Sequence, residues 1–282
     1  MKQVKFLLLP LFALVISFGV KAQDINAVVE QFNKGNDAFK AENYEQAIAD
    51  LEAAYTAAIV ITDEDAAETV EGIKTNCKNM IPFSYSSIAG SLATEGKYDE
   101  AIDYFNKSLA AAEKYGNTDI TKENVAEKVN AVYSAQAADF AKEGAFDKAI
   151  ETVSKTGDDG AIDKIKKFVA TSYLKEAQTA QRAKDYKTAV EKSKQAADYN
   201  PESESAYLIL GVSYSQLKQY KNAVDALEKC VALKESAQAY YYLAAAYQQS
   251  GNNAKACQNY KKVNDPKLSA NAQAQMKALG CK

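Results

Sequence analysis

Histidine is absent from all 282 residues. Its absence removes His–carboxylate bases, Ser–His and Cys–His couples and imidazole metal ligands. Carboxylate pairs and lysines remain, so the catalytic classes left open are few. Tryptophan is also absent, and there are only 4 prolines and 12 glycines. Long stretches therefore run without a helix breaker. No P-loop, GxGxxG, GxSxG or HExxH pattern occurs. No CxxC occurs either, which leaves no dithiol redox motif and no zinc knuckle. The acid pairs Asp63/Asp65 and Asp158/Asp159 fall at predicted helix starts and turns, where capping explains them. The segment Thr156-Gly-Asp-Asp-Gly160 lacks the full twelve-residue calcium-loop pattern and reads as a turn. The expectation is a chain with no catalytic residues, no cofactor and no metal.

What is present is an ordinary globular composition, 47% hydrophobic and 25% charged, with 18 tyrosines. The chain begins with Lys2 and Lys5, an apolar stretch from Phe6 to Val20, and the small residues of Val20-Lys21-Ala22. That is the grammar of a secretory signal peptide, with cleavage expected after Ala22. The competing reading, an uncleaved anchor, needs about 20 apolar residues, and this run is shorter. No cysteine follows the run, which argues against a lipoprotein. Without residues 1–22 the chain holds 31 basic and 37 acidic residues, a formal charge of −6. A mildly acidic chain argues against nucleic acid as a partner. No later run is apolar enough to span a membrane. The expected location is the periplasm or envelope of a Gram-negative bacterium, and the Ala22-Gln23 junction resembles exported proteins of Bacteroidetes-type bacteria.

One phrase recurs along the chain: an aromatic, two residues, Ala, three residues, then an apolar or aromatic residue. It appears as Tyr44/Ala47/Leu51, Tyr98/Ala101/Phe105, Phe146/Ala149/Val153, Tyr186/Ala189/Ser193 and Tyr220/Ala223/Leu227. A degenerate copy has Asn253, Ala256 and Tyr260. Before most copies lies a Gly, Asn or Asp turn. The spacing puts the apolar residues on one helical face, and the small Ala lets two backbones approach. Each copy predicts an antiparallel helix pair that buries its stripe only by stacking on neighbours.

The pattern resembles the tetratricopeptide repeat over roughly residues 26 to 265. Tyr207, Leu210-Gly211, Tyr214, Tyr220, Ala223 and Leu227 carry the resemblance best, and Tyr240, Leu243-Ala244 and Tyr247 match the first helix of the next copy. The resemblance implies an all-α, right-handed superhelical solenoid of antiparallel helix pairs. The Ala-to-Ala spacings are 54, 48, 40, 34 and 33 residues, so only the last two fit the family period of about 34. The N-terminal half is therefore expected to carry longer helices, among them 66–94, bent near Pro82, and 118–142. The expected organisation is a signal peptide over 1–22, irregular repeats over 23–165, regular repeats over 166–266 and a capping helix over 267–282. Antiparallel stacking of that cap places Cys281 beside Cys257 and predicts their disulfide. Cys230 falls at a buried small-residue phase, and Cys77 has no evident partner.

Such solenoids bind through a concave surface lined by the first helix of each pair. Carried onto this sequence, the ligand-facing phases are Lys175, Gln178, Gln181 and Arg182, then Ser205, Ile209, Val212, Ser215 and Gln216, then Tyr241, Tyr242, Gln248 and Gln249. Amides and a guanidinium can bond an extended backbone, and tyrosines supply flat apolar area. The matching phases of the second and third copies are small, among them Ser86, Ser87, Gly90 and Ala135. Asn36 resembles the family's chaperone-clamp asparagine, but Phe32 stands where the clamp lysine belongs and Ser87 where its next asparagine belongs. The expected function is non-enzymatic: an envelope adaptor or scaffold that binds a protein segment. A self-assembling structural protein and a glycan- or small-ligand-binding module are the alternatives.

Overall fold

The structure, a computed structural model, describes residues 24–282. The signal-peptide reading falls on residues 1–22, outside the described ones. Among the described residues there are thirteen α-helices and no strand. Twelve of them form six consecutive pairs: α1 (Ile25–Lys40) with α2 (Tyr44–Ala58), α3 (Ala67–Thr94) with α4 (Tyr98–Tyr115), and α5 (Lys122–Lys142) with α6 (Phe146–Ser154). Then come α7 (Asp159–Arg182) with α8 (Tyr186–Tyr199), α9 (Glu204–Gln216) with α10 (Tyr220–Leu233), and α11 (Ala237–Gln249) with α12 (Asn253–Tyr260). The thirteenth, α13 (Pro266–Ala278), follows alone. The fold is all-helical and built of helix pairs, as the recurring phrase implies.

The turn inside every pair is made the same way. One residue after each first helix lies in the left-handed region: Glu42 (φ 59°), Gly96 (77°), Gly144 (80°), Lys184 (61°), Lys218 (58°) and Gly251 (88°). The next backbone N–H then donates five residues back, as from Asn43 to the Ala38 carbonyl at 2.9 Å and from Asn252 to the Tyr247 carbonyl at 2.8 Å. This bond satisfies a carbonyl the helix end would leave orphaned. Where Asn43, Asp185 or Asn252 follows, its side chain also accepts an N–H of the second helix, which caps that helix.

A second regularity joins the two helices of a pair. A small residue on the first helix stands sixteen positions before the large residue of the recurring phrase: Gly35/Leu51, Ala89/Phe105, Ala137/Val153, Gly211/Leu227 and Ala244/Tyr260. All ten are buried. A Cβ placed on Gly35 would stand 2.8 Å from Leu51 Cγ, and one on Gly211 would stand 2.9 Å from Leu227 Cδ2. Glycine is required there because the leucine occupies the space a methyl would need. The fourth pair is the exception, with Ala177 and Ser193 in the same register. Ser193 is fully buried, and its hydroxyl has no hydrogen-bond partner among the described residues. Burying an unsatisfied hydroxyl is costly, so Ser193→Ala is expected to raise stability by about 1 kcal/mol. A urea titration in which that variant unfolds earlier than the parent would contradict it.

The departures from the family period come from the first helices. α3 has 28 residues, α5 has 21 and α7 has 24, against 13 each in α9 and α11. α3 is continuous from Ala67 to Thr94 across Pro82. The proline removes one helical donor. Its own carbonyl accepts from the Ser108 hydroxyl of α4 at 2.7 Å, which ties the two helices where the helical ladder is weakened.

The contacts divide the chain into two compact units, up to Val129 and from Asn130 onward, with the division inside α5. The sequence-based division at 165/166 follows repeat regularity, a different property, and lies inside α7. In the first unit the core gathers Val28, Leu51, Ile73, Cys77 and Ile81. In the second, one cluster holds Val153, Ile165 and Val169, and a larger one runs from Ala196 through Leu227 and Leu243 to Ala272. Within each unit the helices pack chiefly on their neighbours in sequence.

α13 closes the second unit. Asp265 caps it by accepting from Lys267 N, Ala272 is buried, and Leu268, Met276 and Leu279 pack on the larger cluster. Cys257 and Cys281 form a disulfide with their Cα atoms 5.6 Å apart. Cys77 and Cys230 are buried free thiols. Burial pushes their pKa values up to about 12 and about 11 respectively, so neither supplies thiolate near neutral pH.

Candidate functional site

The second unit carries a cleft of about 280 Å³ lined by three first helices, α7, α9 and α11. The end of α7 contributes Gln178, Gln181 and Arg182. α9 contributes Ser205, Leu208, Ile209 and Val212, and α11 contributes Gln238 and Tyr242. The cleft therefore has an aliphatic part on α9 flanked by amides and a guanidinium on α7, with an amide and a phenol on α11.

Each lining group has a local reason to stand there. Gln178 and Arg182 are one helical turn apart and share a face of α7. Gln181 is half-buried, and its amide donates to Ser213 Oγ at 3.3 Å and to the Ile209 carbonyl at 3.5 Å. That pair of bonds fixes α7 against α9 and leaves Gln181 a structural member of the wall. Arg182 is exposed, and it forms no ion pair among the described residues. It is the only arginine in the chain, whose other 33 basic residues are lysines. A guanidinium offers a planar fork of donors that a lysine cannot reproduce. Tyr242 is half-buried and meets Tyr241 edge to face at 5.7 Å.

Of the ten partner-binding residues read from the sequence, Gln178, Gln181, Arg182, Val212 and Tyr242 come together at the cleft. The others stand elsewhere. Lys175 is exposed on α7 away from the lining. Ser215 donates to the Gly211 carbonyl of its own helix at 3.0 Å. Gln216 is exposed at the end of α9. Tyr241 packs against Tyr260 of α12 at 5.8 Å. Gln248 accepts from Tyr260 Oη at 2.9 Å and donates to Gln275 of α13 at 3.0 Å. Tyr241 is thus engaged by α12, and Gln248 joins α12 to the capping helix. Ser205 and Ile209, also read from the sequence, line the cleft, with Ile209 buried. Leu208 and Gln238 were not singled out. Gln238 follows Ser205 by one repeat length, and Leu208 follows Lys175 likewise, so the same periodic reading reaches both.

No group of metal-ligating side chains occurs among the described residues. Asp158, in the Thr156–Gly160 turn, caps α7 by accepting from Gly160 N at 2.8 Å and Ala161 N at 3.1 Å. Among the described residues no helix is long and apolar enough to cross a membrane.

Two family models described as tetratricopeptide repeat match this sequence, one over residues 84–115 and the other over 238–265. The likeness to the tetratricopeptide repeat is thus found over those two segments. A third model, described as anaphase-promoting complex, cyclosome, subunit 3, matches residues 161–230. No curated protein matches the sequence. Among solved structures, one of MamA (MSR-1) is 20% identical and covers 66% of this chain and 96% of its own, at a TM-score of 0.30. Another MamA crystal structure is 19% identical, covering 70% of this chain and 94% of its own at 0.30. The TPR2AB domain of yeast Sti1 in complex with pHSP90 is 16% identical, covering 90% and 96% at 0.33. The scores are low, and the fold stands on the helix pairs themselves. The cleft lies on the first helices of three successive helix pairs, the last of which overlaps the matched segment 238–265.

Proposed function

We propose that this protein is a non-enzymatic adaptor or scaffold of the bacterial cell envelope, binding an extended segment of a partner protein in the cleft on α7, α9 and α11. The observation that carries the reading is Arg182, the one arginine of the chain, without an ion pair among the described residues at a cleft whose remaining lining is amide, hydroxyl, aliphatic and phenolic. Gln178 and Gln238 can bond a partner's main chain, Arg182 a carboxylate or carbonyl, and Leu208, Val212 and Tyr242 its side chains. Gln181 holds the wall before any partner arrives, which limits the ordering cost of binding. The envelope location rests on the apolar N-terminal stretch and the export grammar around Ala22. The disulfide between Cys257 and Cys281 is compatible with an oxidising compartment.

The test is a cross-linked capture from cell envelopes. The bait is compared with an Arg182→Glu/Tyr242→Ala variant and with Lys221→Ala, an exposed control on α10. The expected result is a protein held by the parent and the control but bound about thirtyfold more weakly by the cleft variant. Equal retention by all three baits would remove the cleft as the binding site.

A further inference from the structure

The two units carry opposite charge. Residues 24–129 hold 20 acidic residues against 9 lysines, a net charge of −11. Residues 130–282 hold 22 basic residues against 17 acidic ones, a net charge of +5. Each unit also exposes a large aromatic ring that its own core does not use: Phe83 at 52% in the first and Phe168 at 44% in the second.

The settings of the two rings differ in kind. Phe83 belongs to a cleft of about 360 Å³ lined also by Phe39, Met80 and Ile120. The Phe39 and Phe83 rings lie 5.7 Å apart and pack on each other, so the cleft presents an aromatic wall that a further ring can meet edge on. Asp119 stands on the lining with its carboxylate unpaired among the described residues. Glu42 follows Phe39 in the turn after α1 and is exposed. Phe168, by contrast, projects from α7. Lys164 lies one turn before it and Lys167 adjoins it, both exposed and without ion pairs among the described residues. One unit thus offers an apolar cleft with an acid on its lining, and the other an apolar knob edged with lysines.

We propose that the chain associates with a second copy of itself head to tail, Phe168 of one copy seating in the Phe39/Met80/Phe83/Ile120 cleft of the next. Lys164 and Lys167 face Asp119 and Glu42 across the contact. Burial of the two exposed rings supplies affinity, and the opposite charges of the units orient the encounter. The two patches are different, so the contact is heterologous. Each dimer keeps one free knob and one free cleft, and association continues into a ring or filament. This site shares no residue with the cleft on α7, α9 and α11, so the two readings fail separately.

The test is sedimentation of the purified protein across a range of concentrations, at low and high salt. The parent is expected to gain mass with concentration and to associate about tenfold more weakly at high salt. Phe168→Ser and Phe83→Ser are each expected to abolish the gain, and their folding is checked by circular dichroism. Mixed one to one, they are expected to form a dimer that grows no further, because only one intact knob and one intact cleft remain. Lys164→Glu with Lys167→Glu, on exposed positions that leave packing untouched, is expected to weaken association as well. A parent that stays monomeric throughout, folded single variants that associate as the parent does, or a mixture that forms no dimer would each overturn the proposal.

Discussion

Leu227→Ala is expected to cost about 2–5 kcal/mol of stability, because this side chain is fully buried where α9 and α10 cross. Its neighbour gives the experiment its discriminating arm. A Cβ on Gly211 would stand 2.9 Å from Leu227 Cδ2, so Gly211→Ala alone is expected to destabilise by about 1–3 kcal/mol through overpacking. Joined in one chain, the two changes offset each other in part, since the new methyl occupies space the leucine vacates. The double variant is therefore expected to be more stable than the sum of the single losses predicts. Urea titrations of the four proteins read this directly. Strict additivity would mean that the two residues do not meet. Gly35 and Leu51 repeat the arrangement in the first unit, and the same set of four proteins there is expected to behave alike.

Cys281→Ser is expected to remove about 2–4 kcal/mol, the usual worth of a crosslink closing a loop of this size. The bond joins residues separated by 24 positions and encloses the second half of α12 and all of α13. The loss is expected to be local: faster amide exchange in α13 and proteolysis near Asp265-Pro266, with the amides of α9 and α10 unchanged. Reduction of the parent by a thiol reagent is expected to reproduce the effect. If exchange in α13 does not change, then Leu268, Ala272, Met276 and Leu279 hold the cap unaided.

The helix pairs were legible because period and turn chemistry agree. The aromatic-to-Ala spacing marks each second helix, and the turn before it is rich in Gly, Asn and Asp. Glu42, Lys184 and Lys218 hide the same left-handed turn behind residues that do not announce it. Their turns were read from the phrase that follows. The cleft was legible only in part, for a physical reason. Helical phase says which face a side chain is on, but not whether a neighbouring helix already uses it. Tyr241 and Gln248 have ligand-facing phases, yet α12 engages Tyr241, and α12 and α13 engage Gln248. Gln181 is similarly engaged by α9, although it still lines the cleft. Phe83 was not legible because a phenylalanine in a long apolar-faced helix reads as core. Only the packing of α1 and of the loop after α4 reveals the cleft it lines.

The preference of each helix for its sequence neighbours bears on how the chain comes into being. Contacts between residues close in sequence incur little loop-closure entropy, so folding is expected to be fast for a chain of this length. It also matches the order of synthesis. A helix pair such as α1 with α2 is complete in sequence within a few dozen residues, and α3 is the next surface it needs. A growing chain can therefore cover each apolar stripe soon after it emerges, without waiting for a distant strand or domain. The crosslink on α12 closes later: it must wait until Cys281, 24 positions further on, has been made.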